Sequence, residues 1–141
     1  MELITLIYVS SAVKSANNSE ILDILKISRK ANGEKNITGM LLFKDGNFMQ
    51  ILEGDAPVVD ELHRKIARDP RHTGLITLLR RPIPNRVFSD WKMGFQNIDN
   101  LTQDEKSGHS NYLDLPLVDP SYIANPNAAL RLLESFKKTA R

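Results

Sequence analysis

Cysteine is missing from all 141 residues of the chain. That absence excludes disulfides, thiolate metal sites, cysteine nucleophiles and any cofactor chemistry that runs through a thiol adduct. An excess of charge is missing too: 19 Lys and Arg face 17 Asp and Glu, a net +2. Such a balance gives no argument for nucleic acid or an anionic membrane. Long apolar runs are absent. The run Leu3 to Val9 is far short of the ~20 residues that a membrane span needs. Glu2 and Lys14 also stand where a secretory signal would not place them, so the run reads as a buried strand of a cytoplasmic protein. Phosphate-binding glycine patterns and G-x-S-x-G do not occur, and His63, His72 and His109 have no mutual metal-ligand spacing. Metal chemistry has no candidate site, and Glu53, Asp55 and Asp90 alone do not make a hydrolase.

What is present is ordinary globular material, 41% hydrophobic and 26% charged, enough for one domain with its own core. Leu3–Val9 is a β-branched strand. Asn17 and Glu20 have capping-box spacing, and the helix they open stops at Asn32-Gly33. Ile37–Phe43 and Phe48–Leu52 flank Asp45-Gly46, a strong hairpin signal. A second helix with Asp55 as cap, Pro57 in its first turn and Val58, Val59, Leu62 and Ile66 as its stripe ends at Asp69-Pro70. Leu75–Leu79 and Trp91–Ile98 are the last strands. The order βαββαββ predicts an α+β, ferredoxin-like fold. It has a five-stranded mixed sheet, two helices on one face, and strands one and three as central, parallel neighbours. Residues 1–98 form this unit. Residues 99–141 form a C-terminal two-helix extension, with helices over Thr102–Tyr112 and Asn127–Lys138.

Domains that bind RNA share this topology, and Lys92-Met93-Gly94-Phe95 has part of their aromatic motif. It falls on strand five rather than the required third strand, which lacks such an opening. Arg80, Arg81 and Arg86 are better read as a solvated loop face. More informative are two polar residues in apolar strands. Tyr8 shares a strand face with Leu6, and Gln50 shares one with Phe48 and Leu52. On adjacent strands they meet near the sheet centre. Either they satisfy one another or backbone, or they serve a ligand.

Several segments together resemble the BLUF domains, flavin-binding blue-light sensors. They are Leu6-Ile7-Tyr8, Asn32, Asn36 to Leu41, Phe48 through Gln50 to Gly54, Asp69-Pro70-Arg71-His72 and Trp91-Lys92-Met93. The resemblance covers residues 1 to about 98. The tail is similar to that of short, stand-alone, PixD-like members.

The resemblance implies FAD held non-covalently between the two helices, with FMN or riboflavin as alternatives. It implies Tyr8 as the electron and proton donor and Gln50 as the amide whose rotation or tautomerisation switches the flavin's hydrogen bonds. Trp91 and Met93 flank Gln50, one of them pointing inward, unless both are plain core. Asn32 matches a contact to the ring edge and also suits a helix C-cap; Ser28 supports Gln50 or the ring. Lys65, Asp69, Arg71 and His72 match helix-two positions near the flavin's other edge and ribityl-phosphate chain, or form a solvated helix end. Two departures stand out: Ala31 replaces a usual polar residue, and Lys65 replaces a frequent arginine, losing bidentate geometry. With no output domain in view, the signal is expected to leave through a protein partner or a homo-oligomer. The C-terminal helix and the Trp91 region are the candidate relay, although that helix equally suits a lid on the open sheet face. The alternatives are a light-insensitive flavin-binding redox or temperature sensor, or a ferredoxin-like ligand- or RNA-binding module. The expectation is a photosensor and not an enzyme.

Overall fold

Alternation of apolar side chains builds the sheet. In β1 (Leu3–Ala12), Ile4, Leu6 and Tyr8 face one way and Ile7 and Val9 the other. A computed structural model describes residues 2–12, 25–26, 29–30, 32–107 and 111–137. The Asn17–Glu20 cap, Ser28 and Ala31 lie outside the described residues. Residues 25–26, 29–30 and 32–34 are helical and lead into β2 (Thr38–Lys44) and β3 (Asn47–Asp55). Between these strands Asp45 and Gly46 have φ of 49° and 80°, both positive, as a type I′ hairpin turn requires.

Helix α1 (Ala56–Arg68) follows directly. Asp55 occupies its N-cap position but makes no side-chain cap hydrogen bond; the proline in the first turn starts the helix without it. At the other end Asp69, held extended at φ −68° and ψ 122° by the following Pro70, terminates it. Strands β4 (His72–Pro82) and β5 (Gly94–Asn97) complete the sheet, in the order β4-β1-β3-β2-β5. β4 is longer than Leu75–Leu79, and β5 shorter than Trp91–Ile98.

One expectation is corrected. β1 and β3 are central neighbours but run antiparallel. The hairpin reverses the chain, so the strand parallel to β1 is β2, and β3 is inserted between them. The only parallel pairing among the described residues is β2 with β5, which makes the sheet mixed.

Each sheet face has its own core. One face carries Ile4, Leu6, Tyr8, Leu41 and Leu52 with Leu25 of the first helical segment, Val59 of α1, and Met93. The opposite face carries Ile7, Val9, Met40, Leu42, Met49 and Ile51 beneath the C-terminal segment. That segment holds α2 (Gln103–Ser107), α3 (Pro120–Ala124) and α4 (Pro126–Ser135), with single 3-10 turns at Ile98–Asn100 and Asn111–Asp114. Of the helix expected over Thr102–Tyr112, Gln103–Ser107 is α-helical, residues 108–110 lie outside the described residues, and Asn111 and Tyr112 belong to a 3-10 turn. α2 opens with a true capping box, Glu105 N–H donating to Thr102 Oγ1 at 3.2 Å and Thr102 N–H to Glu105 Oε1 at 3.0 Å. α3 was not expected. Pro120 and Pro126 occupy first turns and start helices. α4 closes the open face with Ala128, Ala129, Leu132 and Leu133. Lys44, at the end of the hairpin, donates to the carbonyls of Leu113 and Leu115 at 2.6 and 2.9 Å. Those two bonds tie the extension to the sheet.

Candidate functional site

Tyr8 and Gln50 are directly opposite in the β1–β3 register. Both are buried, at 4% and 6% exposure. The Tyr8 hydroxyl donates to Gln50 Oε1, and Gln50 Nε2 donates to the Met93 sulfur at 3.3 Å. A primary amide that spends its N–H on a thioether is underused, because sulfur is a weak acceptor. Burial, with the nearby negative charge of Asp69, holds the Tyr8 phenol well above its ordinary pKa, so it stays protonated. The charged form is disfavoured both by desolvation and by the carboxylate.

Of the two residues expected to flank Gln50, the structure brings only Met93 to it. Trp91 lies before β5 and packs against the opposite core. Its ring lies so close to Gly94 that a Cβ there would meet Trp91 Cε3 at 2.7 Å. The Met93 carbonyl accepts from Arg29 Nε at 2.7 Å, linking the first helical segment to this loop. Asn32 is 2% exposed, and its carbonyl accepts from Ile37 N–H at 2.9 Å.

At the end of α1 the expected residues are dispersed. Lys65 is exposed, 3.8 Å from Glu61. Arg71 grips Asp69 through Nε and Nη2, which holds the Asp69 carboxyl below its usual range. Only Lys65 is in the helix; Asp69 is its C-cap, Arg71 lies in the turn and His72 opens β4. The His72 Nε2 meets the Ile66 carbonyl, while its buried Nδ1 has no hydrogen-bond partner among the described residues.

Two further residues, weighed in the sequence but given no role there, stand out in the structure. His63 is half-buried; it presents its ring to Tyr8 edge-on with centroids 6.0 Å apart and meets Thr77 Oγ1 at 3.2 Å. Burial lowers its pKa. Glu53 is 0% exposed. Its carboxylate accepts from the N–H groups of Val87 and Phe88 at 2.7 and 2.8 Å and from Thr38 Oγ1 at 3.3 Å. Arg86 completes this cluster, donating to Thr38 Oγ1, the Glu53 carbonyl and the Asn36 carbonyl at 2.8, 2.9 and 2.7 Å. For Glu53 the available signal was a polar residue inside an apolar strand, the same signal that marked Gln50.

The residues on this face fit a flavin. The underused Gln50 N–H, the orphaned His72 Nδ1 and buried Asn32 are polar groups on or beside an apolar bed between the first helical segment and α1. Among the described residues there is no cluster of three or more acids and histidines able to hold a metal, and no helix long and apolar enough to cross a membrane.

Comparison with known proteins agrees. The photoactivated adenylate cyclase subunit beta of Euglena gracilis is 36% identical over 92 residues, which are 64% of this chain and 11% of that protein. The blue light- and temperature-regulated antirepressor BluF of Escherichia coli K12 is 35% identical over 97 residues, 69% of this chain and 24% of that one. The chain therefore spans only a small fraction of these curated relatives. The dark-state structure of BlrB, a BLUF protein, superposes with a TM-score of 0.81 at 29% identity, covering 98% of this chain and 97% of that chain. Residues 3–94 match the BLUF family, described as sensors of blue-light using FAD. The protein belongs to that family, the flavin-dependent sensors of blue light.

Proposed function

We propose that the chain binds FAD non-covalently against the Tyr8–Gln50 face and reports blue light without catalytic turnover, by reversing the polarity of the Gln50 amide. The single observation that carries this is the chain of Tyr8 hydroxyl, Gln50 amide and Met93 sulfur. FAD supplies light absorption and an acceptor for an electron. Everything else is done by the protein. Tyr8, protonated and buried, is the electron and proton donor. Gln50, beside Tyr8, carries a donor at one end of its amide and an acceptor at the other, nearly equal in size. A half-turn of the amide presents Oε1 where Nε2 was. Tyr8 tolerates either arrangement, since a phenol both donates and accepts. Met93 loses only a weak bond. Two hydrogen-bond patterns therefore differ little in energy, as a reversible switch requires. Asn32 would bind the ring edge, and Lys65 and Arg71 would supply positive charge to the phosphates, with Asp69 orienting Arg71 and His72 donating nearby.

Residues 1–98 act as the sensor and 99–141 as its helical cap. The signal passes to a protein partner, or within a homo-oligomer, by changed contacts; the naming of BluF as an antirepressor supports an output of this kind.

Purified protein incubated with FAD is expected to be yellow and to show a reversible red shift under blue light. The chromophore released by heat should chromatograph as FAD. Tyr8→Phe should keep the flavin and lose the shift. A normal photocycle in Tyr8→Phe contradicts the donor role, and protein that stays colourless with FAD contradicts the whole reading. Proteins that co-purify in the dark and not in the light identify the output.

A further inference from the structure

We propose that Glu53, with Thr38 and Arg86, is a latch that positions Met93 on Gln50 and so sets how long the lit state lasts. This rests on the switch proposed above but concerns a cluster outside it. The segment between β4 and β5 brings Met93 to the amide, and it has no regular secondary structure to hold it there. Its fixed points are few. Gly39 N–H donates to the Trp91 carbonyl and Ile83 N–H to the Leu3 carbonyl, at 2.9 and 3.0 Å. Arg29 holds its far end at the Met93 carbonyl, and its middle is gripped by Glu53 on Val87 and Phe88 and by Arg86 on β2, β3 and Asn36. A buried carboxylate is costly unless fully hydrogen-bonded; here two backbone N–H groups and a hydroxyl satisfy it. Removing Glu53 takes the partner from two backbone N–H groups at once, and Thr38 and Arg86 each add a further tie to the same cluster.

The geometry also gives direction. Gln50 and Glu53 lie on one strand with their side chains directed to opposite sheet faces. Gln50 engages Met93 at the end of the segment, and Glu53 engages Phe88 in its middle. Phe88 is fully buried in the core beneath α4, and Lys137 Nζ sits 5.6 Å from the centre of its ring. Loosening the latch frees Met93 to leave the amide. Met93 then no longer guides the amide back across the barrier to the dark arrangement, and return to it slows.

The test uses the FAD-loaded chain carrying Thr38→Val, Arg86→Met or Glu53→Gln, each alone and with Met93→Ala. Thr38→Val is nearly isosteric and keeps the experiment interpretable if the other two fail to fold. Each single variant should keep the size of the red shift and slow dark recovery roughly five-fold or more, the scale of one lost buried hydrogen bond. Thr38→Ser should recover at the wild-type rate. With Met93→Ala already present, the latch variants should change recovery no further. Unchanged recovery in Thr38→Val, or the same fold-change with and without Met93, overturns the proposal. A second readout needs no light: in the dark, Thr38→Val should shift the NMR signals of the Gln50 side-chain amide and the Met93 methyl. Shifted signals in a protein without any photocycle would sink the switch and leave the latch standing. Unmoved signals would sink the latch whatever the photocycle does.

Discussion

At the scale of single residues, the site works by placing groups where only one protonation state is comfortable. Tyr8 is the clearest case. Its phenol is held neutral by burial and by Asp69, so its folded pKa lies above the ordinary value of ~10. A raised folded pKa contributes stability that is complete below the unfolded value and is lost as pH rises beyond it. Wild-type protein should therefore lose stability more steeply above about pH 10 than Tyr8→Phe, measured by denaturant unfolding at a series of alkaline pH values. Parallel curves would mean that Tyr8 ionises freely. Tyr8 and Gln50 were legible in the sequence because a polar residue inside an apolar strand must find a partner. Glu53 carried the same mark. Its partners, however, are 34 and 35 positions away in an irregular segment, and no periodicity predicts where such a segment passes. His63 was unreadable for a different reason. Its helix has charged neighbours, and only the packing of α1 over β1 and β4 turns that ring toward Tyr8.

At the scale of elements, the strands and the hairpin were legible because alternation and the Asp45-Gly46 turn are local. The mutual direction of β1 and β3 was not, since it depends on counting reversals through the whole βαββ unit. The extension was misread where proline served as a helix start. The joint between α1 and edge strand β4 was also invisible in the sequence. It is made by Arg80, which donates to both carboxylate oxygens of Asp60 at 2.9 and 2.8 Å, with His63 on Thr77 beside it. The hydrogen bond from Arg80 holds the Asp60 carboxyl below its usual pKa. A lowered folded pKa contributes stability above the unfolded value of ~3.9 that is lost as pH falls through the folded one. Asp60→Asn should thus flatten the acid limb of a stability profile between about pH 5 and pH 2. The effect is modest because the pair is partly solvent-exposed, and it should shrink further in high salt. An acid limb identical to wild type would show that the pair adds nothing.

At the scale of the whole molecule, one sheet separates two cores. The Tyr8–Gln50 face is the one proposed to take the flavin, and the other is closed by α4. The segment from Arg86 to Met93 is shared by both, with Phe88 in one core and Met93 in the other. The extension is therefore part of the fold's stability. Leu133→Ala, a fully buried position in α4, should cost roughly 2–5 kcal/mol, read from the denaturation midpoint. A change below 1 kcal/mol would mean that α4 is loosely attached. Whether the Gln50 amide is the switch is decided by the light-minus-dark absorption spectrum of Gln50→Leu. The substitution keeps the approximate volume and removes both donor and acceptor. Gln50→Leu should bind FAD as wild type does and show no light-induced red shift. A wild-type shift in that variant would contradict a switch at Gln50.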